Sequence, residues 1–345
     1  MLIFSAEVLD RVTRAIFLAA GTPEDVAALV AHSLVDANLA GHDSHGVIRI
    51  PTYVEQIQRG ELVTDARPRV EREGPCVVTV DGVWAFGQYV AHFCMDRAAR
   101  KARQSQVALV TVTRINHIGR LGEWAEEAAQ SGVIGMAATS WGGGPFAATP
   151  FGGAGKVLST NPIAFGVPLP EGPPFVLDYA TTAVAEGKLR VARSKRARVP
   201  DGWIVDKHGR PTTDPEDFYA GGMLLPFGGH KGFALAMLVE LLSVALTGAD
   251  AVPDQRGRQN GAVFLAIDPS AVRPLDEFVA AAARINARVV GVPPAPGSEG
   301  VLIPGQPEAR SREMRQREGI PVPESTWEAI QGAAAKVGAE LEARD

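Results

Sequence analysis

Five short runs of β-branched and other apolar residues constrain the fold of this chain more than any other feature of its sequence. These runs lie at residues 77–82, 107–113, 133–140, 175–180 and 262–268. Amphipathic patterns with helical spacing separate several of them, notably over residues 88–105 and 119–131. Strand-like runs that alternate with helical patterns predict a mixed α/β body.

Two helices are predicted before the first of these strands. Apolar residues recur at helical spacing over residues 6–19 and again over 26–35. Thr22 and Pro23 are residue types that favour a helix N-cap and a first turn, and acidic residues follow them. Gly41 is a natural stop for the second helix. The polar segment after Gly41 therefore follows directly on a helix.

Composition indicates a large globular protein with neither a nucleic-acid nor a membrane partner. The chain has 345 residues, 46% of them hydrophobic, and a net charge of −5. The apolar run at 232–249 contains Glu240 and is shorter than the about 20 residues of a membrane span, so we interpret it as a buried helix. Glu7 interrupts the first apolar segment before it reaches signal length, and Cys76 and Cys94 cannot form a disulfide framework. We expect a cytoplasmic protein.

The segment AGHDSHGVIRIP concentrates titratable and hydrogen-bonding side chains within a few positions: His42, Asp43, Ser44, His45 and Arg49. His45 and Arg49 are four positions apart, and they share one face if a helix begins near Ser44. An arginine can hold the carboxylate of a 2-oxo or 2-hydroxy acid, while a histidine exchanges a proton with the adjacent oxygen. A helix-cap role for Asp43 or Ser44 is compatible with this interpretation but does not explain His45 and Arg49.

A metal site is the main alternative for the same histidines. His42 and His45 are three positions apart, as ligands on one helix face would be, and His117 could supply a third ligand. Metalloenzyme motifs of this type usually carry an adjacent acid and a third ligand nearby, and the segment itself offers no third histidine or cysteine. We expect no metal, and a metal-dependent hydrolase remains the alternative from another functional class.

Two further segments are candidate anion sites. In TRINHIGRLGEW a strand ends and glycines begin a helix, an arrangement in which a ligand can approach the backbone and a phosphate is attracted. An ordinary strand-to-helix turn with a surface histidine explains this segment equally well. PFGGHKGFALA places Lys231 at a second glycine-rich helix start, where a lysine at a turn is again the simpler alternative.

The usual nucleotide-binding fingerprints are missing. The chain has no G-x-G-x-x-G after its first strand, and GGGPFAATPFGGAGK fails the glycine spacing of a phosphate-binding loop. Residues 141–174 are rich in glycine and proline, and so long a loop inside a compact domain is usually functional. A similar stretch at 291–307 precedes a last pair of charged helices.

Taken together, eight ordered motifs resemble the malate/L-lactate dehydrogenase type 2 family. They are AGHDSHGVIRIPTYV, DGVWAFGQ, NHIGRLGEWAEEAA, PFGG with LSTNPIAFGVP, LDYATTAVAEGKLRVA, VPDGWIVDKHGRPTTDP, PFGGHKGFALA and LIPGQPEARSR. The resemblance covers residues from about 5 to 335 and is greatest to the hydroxycarboxylate dehydrogenase B branch. It implies an oxidoreductase that uses NAD or NADP, with NAD slightly preferred, to reduce 2-oxo acids without a Rossmann domain.

The resemblance also implies an architecture and a subunit arrangement. Residues 1–65 would form a helical region that carries the histidine motif, and 66–270 a cofactor-binding α/β domain with a largely antiparallel sheet. Residues 271–345 would return to the cofactor site and to the helical region. The expected assembly is a homodimer with its active site near the subunit interface.

Residue roles carried over from the family are expectations of the same kind. His45 matches the proton donor, Ser44 its polar partner and Arg49 the carboxylate anchor, and His117 matches the catalytic acid/base of the ureidoglycolate dehydrogenase branch. Thr160 corresponds to a substrate contact, and Lys188 could polarise the reacting oxygen. The expected cofactor contacts are His117, Ile118, Gly119, Arg120, Leu121, Asp178, Tyr179, Ala180, Lys231, Pro304, Gly305 and Gln306.

Departures from the family pattern concern the substrate. Some imine-reducing relatives have an acid near Lys188, so the lysine argues against a cyclic imino-acid reductase, which remains an alternative with a ureidoglycolate-type dehydrogenase. Trp141 and the glycines after it replace the turn of many relatives, and Ser159 replaces a glycine. A family member that only binds a ligand is a further alternative, which the filled catalytic positions disfavour.

Overall fold

The computed structural model describes residues 1–144, 146–251 and 260–341. Pro145 of the predicted loop, residues 252–259 of the predicted cofactor domain and residues 342–345 of the predicted C-terminal segment lie outside this description. The described α-helices are α1 Ala6–Ala19, α2 Glu24–Leu39, α3 Ile50–Gln58, α4 Gly87–Ser105, α5 Leu121–Gln130, α6 Glu186–Ser194, α7 Pro215–Tyr219, α8 His230–Glu240, α9 Leu275–Val290, α10 Gln306–Glu318 and α11 Glu324–Val337. The strands are β1 Leu2–Phe4, β2 Arg69–Glu73, β3 Val77–Asp81, β4 Val107–Thr113, β5 Ile134–Trp141, β6 Ile163–Val167, β7 Phe175–Tyr179, β8 Ile204–Val205, β9 Pro211–Thr212, β10 Met223–Leu224, β11 Asn260–Ile267 and β12 Ile320–Val322.

A seven-stranded sheet in the order β2-β3-β4-β11-β5-β6-β7 forms the centre of the fold. Only β3 and β4 pair in parallel, so the predicted largely antiparallel sheet is confirmed. Alternate side chains of β5 face opposite layers: Ala137 belongs to the core under α4 and α5, whereas Met136 and Ala138 pack with Val239 of α8. The sheet is therefore covered by helices on both faces.

The two ends of the chain build a helical region together, as the resemblance implies. Its core joins Phe17 of α1 and Leu34 of α2 to Trp327 and Ile330 of α11. The short strands β1 and β12 pair antiparallel and close this region. The domain boundaries at residues 65 and 270 remain predictions.

Most predicted elements agree with the structure to within two residues, but three expectations are wrong in part. The second helix begins at Glu24 without a side-chain cap, and the hydroxyl of Thr22 has no hydrogen-bond partner among the described residues. The predicted loop 141–174 contains strand β6. The run 232–249 is not a single buried helix. It covers most of α8 and then a π-helical turn, in which Leu241 is 54% exposed.

The outer face of this run is apolar in the single chain. Met237, Leu238 and Leu246 are exposed together with Leu241, because the sheet covers only the opposite face of the helix. No helix in the described part of the chain is long and apolar enough to cross a membrane.

Candidate active site

The histidine motif folds as two separate 3₁₀ turns, Asp43–His45 and Val47–Arg49, before α3 begins. They are separated at Gly46, where a Cβ atom would lie 2.1 Å from Oδ1 of Asn38. That oxygen accepts a hydrogen bond from the Val47 amide at 2.8 Å, so Asn38 of α2 fixes the break. The expected shared helical face of His45 and Arg49 is therefore wrong.

A different contact brings Arg49 back to the motif. Its Nε donates to the Ser44 carbonyl at 2.7 Å, which leaves the two terminal nitrogens of the guanidinium available. Neither Asp43 nor Ser44 caps a helix: the Asp43 carboxylate accepts hydrogen bonds from Asn38 and Arg315. Among the described residues Arg49 forms no ion pair, so its charge is free to meet an anion.

His45 and His117 are brought together face to face, although 72 positions separate them in the sequence. Their ring centroids are 5.5 Å apart with an interplanar angle of 18°. Nδ1 of His45 lies 3.0 Å from Oγ of Ser44. Both rings remain partly exposed. The two rival proton carriers thus line one site.

Tyr53 and Gln88 hold His117, and the sequence analysis missed both residues. The Tyr53 hydroxyl lies 2.6 Å from Nδ1 of His117 and accepts from Nε2 of Gln88 at 2.8 Å. Gln88 leaves the hydroxyl proton of Tyr53 available to donate to Nδ1, and this arrangement corresponds to a neutral ring with its proton on Nε2. A buried tyrosine hydroxyl generally needs a partner, and this rule is the signal that could have identified Tyr53.

Burial and the nearby cation keep both imidazoles neutral. Burial, followed by the charge of Arg49, lowers the pKa of His45 from 6.5 to about 3. The same two causes lower the pKa of His117 well below its usual value, with His45 adding to them. Burial raises the pKa of Tyr53 to about 12. At neutral pH the site therefore presents one cation beside two uncharged rings.

The arrangement of the histidines does not favour the alternative of a metal site. Nε2 of His42 lies 3.3 Å from Oε1 of Glu308 on α10. No group of three or more histidine, cysteine, aspartate or glutamate residues in the described ranges is arranged to hold a metal ion. The metal-dependent hydrolase is not supported.

Three of the segments expected to contact the cofactor meet: the start of α5, strand β7 and the turn before α10. Oδ2 of Asp178 accepts from the Gly122 amide at 2.7 Å, so a carboxylate lies at the helix start that the sequence suggested for a phosphate. The Pro304 carbonyl accepts from Val176 at 3.2 Å, which holds the turn beside β7. Burial raises the pKa of Asp178.

Other expected cofactor residues have structural partners of their own. The Arg120 side chain is 2% exposed and forms ion pairs with Asp36 and Glu126. Only its backbone is therefore available for a cofactor contact. The Ile118 carbonyl accepts the indole N–H of Trp124 at 2.9 Å. Among the remaining expected cofactor residues, Gly119 and Gly305 have positive φ angles of 72° and 97°. Leu121 begins α5, Gln306 begins α10, and Ala180 directly follows β7. The ring of the exposed Tyr179 packs edge-on against Phe227.

Lys188, Thr160 and Lys231 lie on segments around this region. Lys188 is exposed on α6, and a Cβ atom on its neighbour Gly187 would lie 3.5 Å from Cβ of Ser44. The Thr160 carbonyl accepts from the backbone and hydroxyl of Thr181 at 2.9 and 3.0 Å. Lys231 is exposed in the first turn of α8. The structure thus brings Ser44, His45, Arg49 and His117 into direct contact. Lys188, Thr160 and Lys231 reach this group only through neighbouring residues or not at all.

Comparisons with known proteins identify the family of the chain. A profile of the Malate/L-lactate dehydrogenase family matches residues 4–331. Hydroxycarboxylate dehydrogenase B of Escherichia coli is 37% identical over 341 residues, covering 97% of this chain and 94% of that protein. The delta(1)-pyrroline-2-carboxylate/delta(1)-piperideine-2-carboxylate reductase of Pseudomonas putida is 32% identical over 332 residues, covering 93% and 94%.

A solved structure extends the similarity to the fold. The sulfolactate dehydrogenase of Methanocaldococcus jannaschii superposes with a TM-score of 0.91 at 32% identity, and the match covers 99% of both chains. The named relatives are oxidoreductases, and the dehydrogenases among them act on hydroxy acids. The chain therefore belongs to the malate/L-lactate dehydrogenase family and is an oxidoreductase of the CH–OH group that uses a nicotinamide cofactor.

Proposed function

We propose that this enzyme interconverts 2-oxo acids and 2-hydroxycarboxylic acids, with NAD(P)H as the hydride donor for the reduction. Its substrates would resemble the hydroxy acids malate and lactate or the 2-oxo acid hydroxyphenylpyruvate. One observation carries the proposal: an arginine without an ion-pair partner among the described residues lies beside two stacked, uncharged histidines. The arginine suits a carboxylate, and the histidines suit the proton that accompanies hydride transfer to the neighbouring carbon.

Each residue then has a distinct part in the reduction. The terminal nitrogens of Arg49 bind the carboxylate end-on. Once the bound carboxylate offsets the charge of Arg49, His45, held through Nδ1 by Ser44, takes up a proton from solvent and delivers it as an imidazolium to the developing alkoxide. His117, held by Tyr53 with its proton on Nε2, polarises the carbonyl as a neutral donor. Lys188 is a second group that could polarise the same oxygen, and Thr160 contacts the substrate.

The chain's residues fit a nicotinamide dinucleotide, which when bound supplies the hydride. Two glycines with positive φ, Gly228 and Gly229, start α8 beside the exposed Lys231, a backbone and a charge that suit a pyrophosphate. The Asp178–Ala180 segment and the Pro304–Gln306 turn would hold the rest of the cofactor. NAD is slightly preferred over NADP, on the resemblance alone.

A homodimer is part of the same proposal. Helix α9 has no buried residue, and Ile285, Val289 and Val290 expose apolar side chains on it. The apolar outer face of α8 and the π turn is also uncovered in the single chain, which favours a second copy as its partner. Light scattering should give twice the mass of the chain, and a monomeric mass for active enzyme would contradict the dimer. The cytoplasmic location remains a prediction from sequence.

The test of the function is a panel assay. Oxidation of NADH and of NADPH should be followed optically with malate-, lactate- and aromatic-type 2-oxo acids, glyoxylate and cyclic imines, with and without chelator. We expect turnover on 2-oxo acids that the chelator does not reduce. Absence of turnover with either cofactor on every 2-oxo acid would contradict the proposal.

A cyclic imino-acid reductase is the second candidate, because a relative from Pseudomonas putida carries that activity in its name. The exposed Lys188 disfavours it, since a cation near the site repels a protonated imine. Preference for a cyclic imine over every 2-oxo acid in the panel would decide for this candidate. A ureidoglycolate-type dehydrogenase would be recognised by oxidation of that hydroxy acid and by a dominant role of His117.

A further inference from the structure

The two ends of the loop that connects β5 to β6, residues 142–162, meet in a buried polar cluster. Ser140 lies next to the end of β5 and is 4% exposed, and Asn161 lies two residues before β6 and is fully buried. Their side chains touch, with Oγ of Ser140 3.0 Å from Oδ1 of Asn161. This loop is the glycine- and proline-rich stretch whose sequence departs from the family.

Glu240, the last residue of α8, joins both ends of this β5–β6 loop. Its Oε2 accepts from the Ser140 hydroxyl at 2.6 Å and from Nδ2 of Asn161 at 2.8 Å. The Asn161 amide also donates to the Ala236 carbonyl, one turn earlier on α8, at 2.9 Å. One carboxylate therefore ties the start and the end of the loop to the same helix.

The backbone at the end of the loop needs such support. Asn161 has a φ of 38°, in the left-handed region that residues other than glycine seldom adopt. Its neighbour Thr160 binds Thr181 through its carbonyl, directly after the Asp178–Ala180 segment. A shift of Asn161 would therefore move Thr160, the expected substrate contact.

We infer that Glu240 is a positioning residue that sets the affinity for the 2-oxo acid and the choice among such acids by fixing both ends of the β5–β6 loop. It acts on the substrate only through Ser140 and Asn161. That the affected substrates are 2-oxo acids rests on the proposed function, whereas the role of Glu240 in holding the loop does not. Glu240 ends α8, whose outer apolar face is exposed in the single chain and forms part of the proposed subunit contact. Glu240 therefore connects this proposed contact with the β5–β6 loop.

The test compares Glu240→Ala with Glu240→Gln and with Glu24→Ala, an exposed acid on α2 that serves as the matched control. Glu240→Ala should raise KM for 2-oxo acids about tenfold, the size expected when a hydrogen bond to a charged group is lost, and should change the ranking of substrates. KM for NADH should stay within about twofold, which a general loss of structure would not allow. Glu240→Gln keeps an acceptor oxygen for both partners and should restore most of the affinity.

Hydrogen exchange on the full-length enzyme without substrate gives a second readout. Amides of residues 146–160 should exchange faster in Glu240→Ala than in the parent and the control, while α4 and β4 should not change. A variant that only melts at a lower temperature, with KM and loop exchange unaltered, would overturn the inference, as would a glutamine variant as impaired as the alanine variant. If the parent enzyme turns over no 2-oxo acid, the proposed function fails, and the exchange result alone decides for or against the role of Glu240.

Discussion

Replacing His45 with alanine is expected to lower kcat for 2-oxo acid reduction by about 10²- to 10⁴-fold, the usual contribution of a positioned general acid. Affinity for NADH should change little, because His45 is not among the residues expected to contact the cofactor, and its own partners are Ser44 and His117. Steady-state kinetics with both substrates varied, together with direct titration of NADH, separate the two effects.

The matched control is His117→Ala in the same assay. His117 polarises the carbonyl in our proposal, so its loss should also slow turnover, but proton delivery by His45 should leave measurable activity. If His45→Ala keeps nearly full turnover while His117→Ala loses it, the proton donor is His117 and the ureidoglycolate-type assignment is correct. Tyr53→Phe would then reproduce part of the His117 effect, because it removes the hydroxyl that holds Nδ1.

The strands and most helices were predictable because their patterns are local. β4 and β11 alternate or run apolar over seven or eight residues, which only strands of a covered sheet do. The edge strand β2 was missed because its residues, RVERE, are all exposed, so no burial pattern marks it. β6 was missed because it lies inside a glycine- and proline-rich stretch.

The candidate site was only partly predictable because its contacts join distant parts of the chain. The resemblance supplied Ser44, His45, Arg49 and His117, whereas spacing alone suggested a helical face that does not exist. That face is broken at Gly46 by a side chain from α2, an effect of tertiary packing that no local pattern reveals. Glu240 was treated as an interruption of an apolar run, although its partners lie 100 and 79 positions away.

Arg49→Ala should act on binding instead of on turnover. The change removes the two terminal nitrogens that bind the substrate carboxylate in our proposal, and the loss of such charge-assisted bonds should raise KM for 2-oxo acids by about 10- to 100-fold. Arg49→Lys is the matched control: it keeps the charge without the planar fork, and it should recover only part of the affinity. Measuring KM for the 2-oxo acid at saturating NADH, and KM for NADH at saturating acid, assigns the effect.

The same variant has a second consequence through His45. The charge of Arg49 is the second cause, after burial, that lowers the pKa of His45, so its removal should raise that pKa towards 6.5. In our proposal the bound carboxylate offsets this charge in the parent enzyme and favours protonation of His45, so that substrate binding would be coupled to proton uptake. In Arg49→Ala, protonation of free His45 should therefore occur at higher pH than in the parent, as NMR of the imidazole would detect. If KM for 2-oxo acids and the titration of His45 are both unchanged in Arg49→Ala, Arg49 has neither role. It then neither binds the substrate carboxylate nor lowers the pKa of the proton donor.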